Sequence, residues 1–124
     1  MPVWFGYHMV TYTVPGVAPR GLFDHAATLA AAVEEAGFSL VTVMDHFYQI
    51  TGVGPETDPM LEAYSTLAAL SQRTSHVRLG ALVTGVTYRN PALLAKTVTT
   101  LDVVSGGRGE IGRASCRERV YSGV

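Results

Sequence analysis

Three short apolar runs, starting near residues 3, 38 and 77, alternate with three stretches of helical apolar spacing. That alternation, at a pitch of about 35 to 40 residues, constrains the fold more than any other feature, because such units close as right-handed βαβ crossovers onto a parallel sheet. Val3 to Tyr12 is rich in β-branched and aromatic residues and stops near Pro15-Gly16, as a strand before a turn does. Leu22 to Ala36 carries apolar residues at 22, 26, 29, 30, 33 and 36, and Gly37 is suited to end that helix in a left-handed conformation. Phe38 to Met44 and Val77 to Val83 read as strands covered on both faces. Met60 to Gln72 has helical spacing through Met60, Tyr64, Leu67, Ala68 and Leu70. Asn90-Pro91 supplies a cap and a first-turn proline for a third helix, through Leu94, Val98 and Leu101, that closes at Gly106-Gly107. Periodicity alone does not separate a barrel from an open doubly wound sheet. No glycine-rich turn follows the first strand, which weighs against a dinucleotide fold.

The chain has 124 residues, about half of the roughly 250 in a complete (β/α)8 barrel. A formal charge of −1 leaves no electrostatic footprint for nucleic acid. No apolar run approaches the roughly 18 residues of a membrane span, and the first twenty residues lack a secretory pattern. One cysteine, Cys116, rules out an internal disulfide and fits a reducing cytoplasm. The expected partner is a small molecule, with neither nucleic acid nor membrane. The last segment breaks the pattern. Where a fourth apolar strand is due, the charge density rises, and Ile111 to Val120 resembles one reading frame of a sequencing-library adapter. We therefore expect an α/β domain over residues 1–108, the partial barrel that the resemblance described below implies, and a non-native tail over 109–124, with a charged terminal helix as the plainer alternative. No role falls to Cys116.

Asp45-His46 sits where the second strand hands over to its loop, and the C-terminal strand ends of a parallel α/β sheet form the ligand-binding mouth. A histidine there can donate a hydrogen bond or a proton near neutral pH, and a neighbouring carboxylate can fix its ring. An Asp capping a turn beside a solvated His is the plainer alternative. Gly80 and Gly85 flank the third strand end, where glycines let the backbone bulge and a flat ligand approach, and Thr84 and Thr87 add hydroxyls. An ordinary bulge and loop is the alternative there. Tyr88-Arg89-Asn90-Pro91 opens a helix whose free N–H groups favour an anion, although a plain cap explains it as well. His8, near the first strand end, faces either the mouth or the packing. His25 and His76 read as surface residues. Gly107 to Gly112 fits a dinucleotide fingerprint by letter but follows a helix. No H-x-H or C-x-x-C spacing supports a metal site, and no G-x-S-x-G elbow supports a serine hydrolase.

Taken in order, Val43 to Ile50, Asp58 to Tyr64, Val77 to Gly80, Asn90 to Lys96 and Leu101 to Arg108 resemble the luciferase-like monooxygenase superfamily, and within it the coenzyme F420-dependent oxidoreductases. The likeness covers residues 3 to 108 and departs where the family continues into an apolar strand and a Gly-x-Gly turn. The resemblance implies the N-terminal three β/α units of a TIM (β/α)8 barrel, truncated. It implies a cofactor lying flat across the strand ends: F420, or FMN in sister groups. A non-proline cis peptide backing the ring would fall at Leu82-Val83. Thr84, Gly85 and His8 would complete the cofactor surface; His46 would assist proton transfer at the substrate, supported by Asp45. The parent would be a hydride-transferring enzyme, and a homo-oligomer is compatible with it. The isolated chain would lack the later phosphate-binding loops and so be inactive. Rival readings are an FMN-dependent monooxygenase, a non-functional fragment, and a metal-dependent barrel hydrolase using His8, Asp45 and His46.

Overall fold

The computed structural model describes residues 3–112. Four strands alternate with three α-helices: β1 Gly6–Met9, α1 Leu22–Glu35, β2 Leu40–Val43, α2 Ala63–Ser71, β3 Arg78–Ala81, α3 Pro91–Val104 and β4 Gly109–Ile111. A single 3-10 turn at Pro19–Gly21 leads into α1. All three strand pairings are parallel, and the order across the sheet is β1-β2-β3-β4. A doubly wound sheet reverses its strand order at a switch point. This one does not: each strand adds to the same side, as successive staves of a barrel do. Strand order thus decides what periodicity leaves open.

The helix ends follow from local chemistry. Gly37 takes φ 85°, and the N–H groups of Gly37 and Phe38 reach back to Glu34 and Val33, which closes α1 as expected. Asn90 accepts from Ala92 and Leu93 ahead of Pro91, so the plain cap is what forms at α3. Helix α2 begins three residues later than its apolar spacing predicts. Glu62 is extended there, and its carboxylate caps the N–H groups of Tyr64 and Ser65. The strands are shorter than their apolar runs because the ladder persists only where neighbours overlap.

Strand β4 lies inside the segment that the sequence sets apart. Leu79, Gly80 and Ala81 pair with Gly109, Glu110 and Ile111, so the sheet runs three residues beyond the expected boundary at 108. The expectation of a non-native tail otherwise falls on residues 113–124, Cys116 among them, which lie outside the described residues.

Parallel register puts Tyr7, Val41 and Leu79 in one row and Met9, Val43 and Ala81 in another. Both rows belong to one face and pack with Ala26, Ala30, Leu67, Leu70 and Leu101 of the helices. The opposite face carries the row His8, Thr42, Gly80 and Glu110. That row is polar, and it lies on the face away from the helices.

At the N-terminal side of the sheet two charged side chains satisfy backbone groups that the elements leave open. Glu34 accepts from the N–H groups of Ser75, His76 and Val77, with Val77 at 2.8 Å. Burial works against its charge, but those three donors hold its carboxyl below the usual range. Arg108 donates to the carbonyls of Ser71 (2.7 Å), Thr74 (3.1 Å), Val77 (2.9 Å) and Ser105 (2.8 Å), and so ties the ends of α2 and α3 to β3. Arg108→Met keeps the length and removes every donor. It should lower unfolding stability by about 3 kcal/mol in a urea titration, as expected for losing several charge-assisted hydrogen bonds.

Candidate functional site

The C-terminal ends of β1, β2 and β3 form one rim, and the loops leaving them are joined by polar contacts. Gln49 is buried in the loop after β2, and its amide donates to the carbonyl of Val10 just past β1 at 3.0 Å. Its own amide oxygen accepts from the N–H of Ile50 at 2.8 Å, which shapes that loop. Phe47 and Tyr88 meet edge to face with ring centroids 4.7 Å apart, joining the second loop to the third.

Asp45 follows β2 and is buried, 4% exposed. Its two carboxylate oxygens are taken by the Arg89 fork, at 2.7 Å from Nε and 2.5 Å from Nη2. The N–H of Gly85 also donates to Asp45, at 2.9 Å, and the Tyr88 hydroxyl donates to the Asp45 carbonyl. Arg89 in turn donates to Glu62 at 2.7 Å and sits over the Tyr64 ring, 4.8 Å from its centroid. The hydrogen bonds it donates to Asp45 come first among the causes that push the guanidinium pKa above its ordinary value, with burial opposing.

The segment after β3 is the second part of the site. The Leu82–Val83 peptide bond is cis, at the position implied by the sequence resemblance. Leu82 is 48% exposed and Val83 half-buried, so an apolar surface faces out at the rim. Thr84 is buried, and its hydroxyl meets that of Tyr64 at 2.6 Å. Its oxygen is thus turned toward the support, not toward the open mouth. A Cβ at Gly85 would meet the Tyr88 ring, which would have to shift to admit it.

His8 and His46 lie near each other on the same rim, both half-buried. Thr42 donates weakly to the Tyr7 carbonyl at 3.4 Å, which leaves its oxygen to accept from His8 Nδ1 at 2.9 Å. Burial pushes the His8 pKa down, Thr42 opposes that, and the nearby His46 pushes it down further. His25 and His76 are exposed, as their sequence contexts predict. Among the described residues no group of three His, Cys, Asp or Glu side chains forms a metal site. Asp45, engaged by Arg89, is not offered to a cation.

Sequence reasoning brought Asp45, His46, His8 and residues 82–85 to one rim, and the fold places them there. It missed Arg89, Glu62 and Tyr64 as members of the site. One signal was available: Arg89 is the only basic residue between 82 and 90, opposite a carboxylate expected at a buried strand end.

The sequence pattern described as luciferase-like monooxygenase matches residues 5–116. A 5,10-methylenetetrahydromethanopterin reductase of Methanolobus tindarius is 34% identical over 88 residues, 71% of this chain and 23% of that protein. An F420-dependent glucose-6-phosphate dehydrogenase of Intrasporangium calvum is 37% identical over 98 residues, 76% of this chain and 26% of its own length. Among solved structures, an F420-dependent secondary alcohol dehydrogenase in complex with an F420-acetone adduct superposes with a TM-score of 0.67 at 25% identity, covering 90% of this chain and 31% of that one. The chain therefore spans about a quarter to a third of the length of the proteins it matches.

Glu62 gives the site a measurable acid limit. Burial raises its pKa, but hydrogen bonds from Ser65, Arg89 and Tyr64 outweigh that and hold it down at about 2, against an ordinary 4.5. The folded value lies below the unfolded one, so its contribution is full above about pH 4.5 and fades as the pH falls toward about 2. Glu62→Gln should flatten the fall in Tm across that window relative to the unsubstituted chain. Parallel curves would mean that Glu62 carries none of the acid sensitivity.

Proposed function

The chain belongs to the luciferase-like monooxygenase family, and on that premise we propose that it forms the first staves of a barrel oxidoreductase that moves a hydride between coenzyme F420 and a small organic substrate. The observation that carries this reading is the meeting, on one rim, of two histidines with an outward apolar surface at Leu82 and Val83. F420 is favoured over FMN by the likeness to an F420-dependent glucose-6-phosphate dehydrogenase at 37% identity and to an F420-dependent alcohol dehydrogenase at 25%.

The residues present fit a planar ring. Leu82 and Val83 offer an apolar face, and Thr84 and Gly85 hold that stretch from behind through Tyr64 and Asp45. A bound deazaflavin supplies or receives the hydride; no side chain of this chain does so. His46 holds or moves a proton at its imidazole beside the substrate. His8, biased toward the neutral form and tied to Thr42, lines the same side as a hydrogen-bonding wall. Asp45 does not reach the reacting atoms in this reading; it braces the rim. The lone cysteine and the absence, among the described residues, of a helix long and apolar enough to cross a membrane are compatible with a cytoplasmic enzyme.

The later staves of the barrel contribute to the site, so the isolated 124-residue chain should bind neither F420 nor FMN usefully. A micromolar Kd in a fluorescence titration would contradict that. The functional test is a chimaera in which residues 3–112 replace the aligned part of an F420-dependent relative. It should bind F420 in preference to FMN, and His46→Ala should lower kcat by roughly 10²-fold with little change in cofactor affinity. Preference for FMN would move the protein to the flavin branch. A folded chimaera that binds neither would end the redox reading.

A further inference from the structure

Several restraints converge on the few residues that follow β3. Gly85 donates its N–H to Asp45, and Thr84 shares its hydroxyl hydrogen bond with Tyr64. Tyr88 closes over Gly85 and donates to the Asp45 carbonyl. The two side chains that do the holding, Asp45 and Tyr64, come from different elements, the end of β2 and the first turn of α2. One residue joins them. Arg89 takes both oxygens of Asp45 with its fork, lies against the Tyr64 ring, and is itself fixed to Glu62, the cap of that same helix.

A guanidinium is suited to this and an ammonium is not. Its plane carries donors in a fixed geometry that matches a carboxylate edge on, while its face stays free to lie on an aromatic ring. The orientation of Asp45 is therefore set by Arg89, and the orientation of Asp45 sets the Gly85 amide. Removing Arg89 leaves a buried carboxylate without its counter-ion, and that carboxylate must then turn toward water or take another partner.

We propose that Arg89 is a positioning residue which, acting through Asp45 and Tyr64, fixes the backbone of residues 82–85 as the surface on which a planar cofactor lies. The identity of what lies there rests on the function proposed above; the fixing itself does not. Arg89 and Asp45 are thus assigned to the frame of the site and not to its chemistry.

Residue-resolved amide hydrogen exchange on the 124-residue chain, without cofactor, tests this directly. Arg89→Met should raise the Gly85 exchange rate by about tenfold or more, while Val41 and Leu79, at the centre of the sheet, keep their rates. Arg89→Lys restores the charge without the fork and should still leave Gly85 several-fold faster than in the unsubstituted chain. An unchanged Gly85 rate in Arg89→Met, or full rescue by lysine, overturns the proposal. Should Arg89→Met lose its fold, Arg89→Lys decides alone: a rise confined to Gly85 and its neighbours upholds the proposal, and a rise shared by Val41 and Leu79, or none, overturns it. Because no cofactor is present, failure of F420 and FMN to bind counts against the proposed function and leaves these exchange rates to be judged alone.

Discussion

A carboxylate removed from water has to be paired and hydrogen-bonded, or its burial costs several kcal/mol. Asp45 is that group here, and the geometry of the rim follows from how the requirement is met. Its oxygens draw Arg89 across from the start of α3 and Gly85 inward from the segment after β3. Arg89 then reaches Glu62, so the cap of α2 joins the same network. Two loops that share no regular structure become one surface, because each supplies what the other leaves unsatisfied. The partial exclusion of water from Asp45 and Arg89, 5% and 20% exposed in their side chains, makes these contacts more effective than surface ion pairs. By contrast the Arg73–Asp24 pair, with both side chains mostly exposed, adds little to the fold.

The two ends of the sheet do different work. At the N-terminal side, Glu34 and Arg108 bond almost wholly to backbone groups, and their task is to close helices onto strands. At the C-terminal side the polar side chains bond to one another and to the backbone of loops, and leave His46, Leu82 and Val83 partly open. This division is the one expected of parallel barrels, in which one rim is given to stability and the other to ligands.

Much of the architecture was legible in the sequence, because helix stops and starts depend on single residues whose chemistry is local. Gly37 and Asn90-Pro91 act as their types predict. Helix α2 was misjudged at its start because apolar spacing does not register a glutamate folding back to cap its own N–H groups. Strand β4 was hidden for a related reason. Gly109 and Glu110 look unlike a buried strand, yet parallel pairing needs only backbone groups, and Glu110 finds Arg78 at 2.5 Å on the face away from the helices. The placement of Asp45 and His46 at the mouth followed from topology. Their partners did not, since Arg89 and Glu62 lie 44 and 17 positions beyond Asp45 and only the folded chain brings all three together.

Every member of the Asp45 network falls between residues 45 and 89. A polypeptide emerging from its N-terminus has therefore released the whole set before β4 appears. The rim between β2 and β3 can be assembled from two consecutive units alone, and later strands would dock against an edge whose loops are already braced. In such an order of assembly the braced rim serves as a template for whatever docks beside it, not as its product.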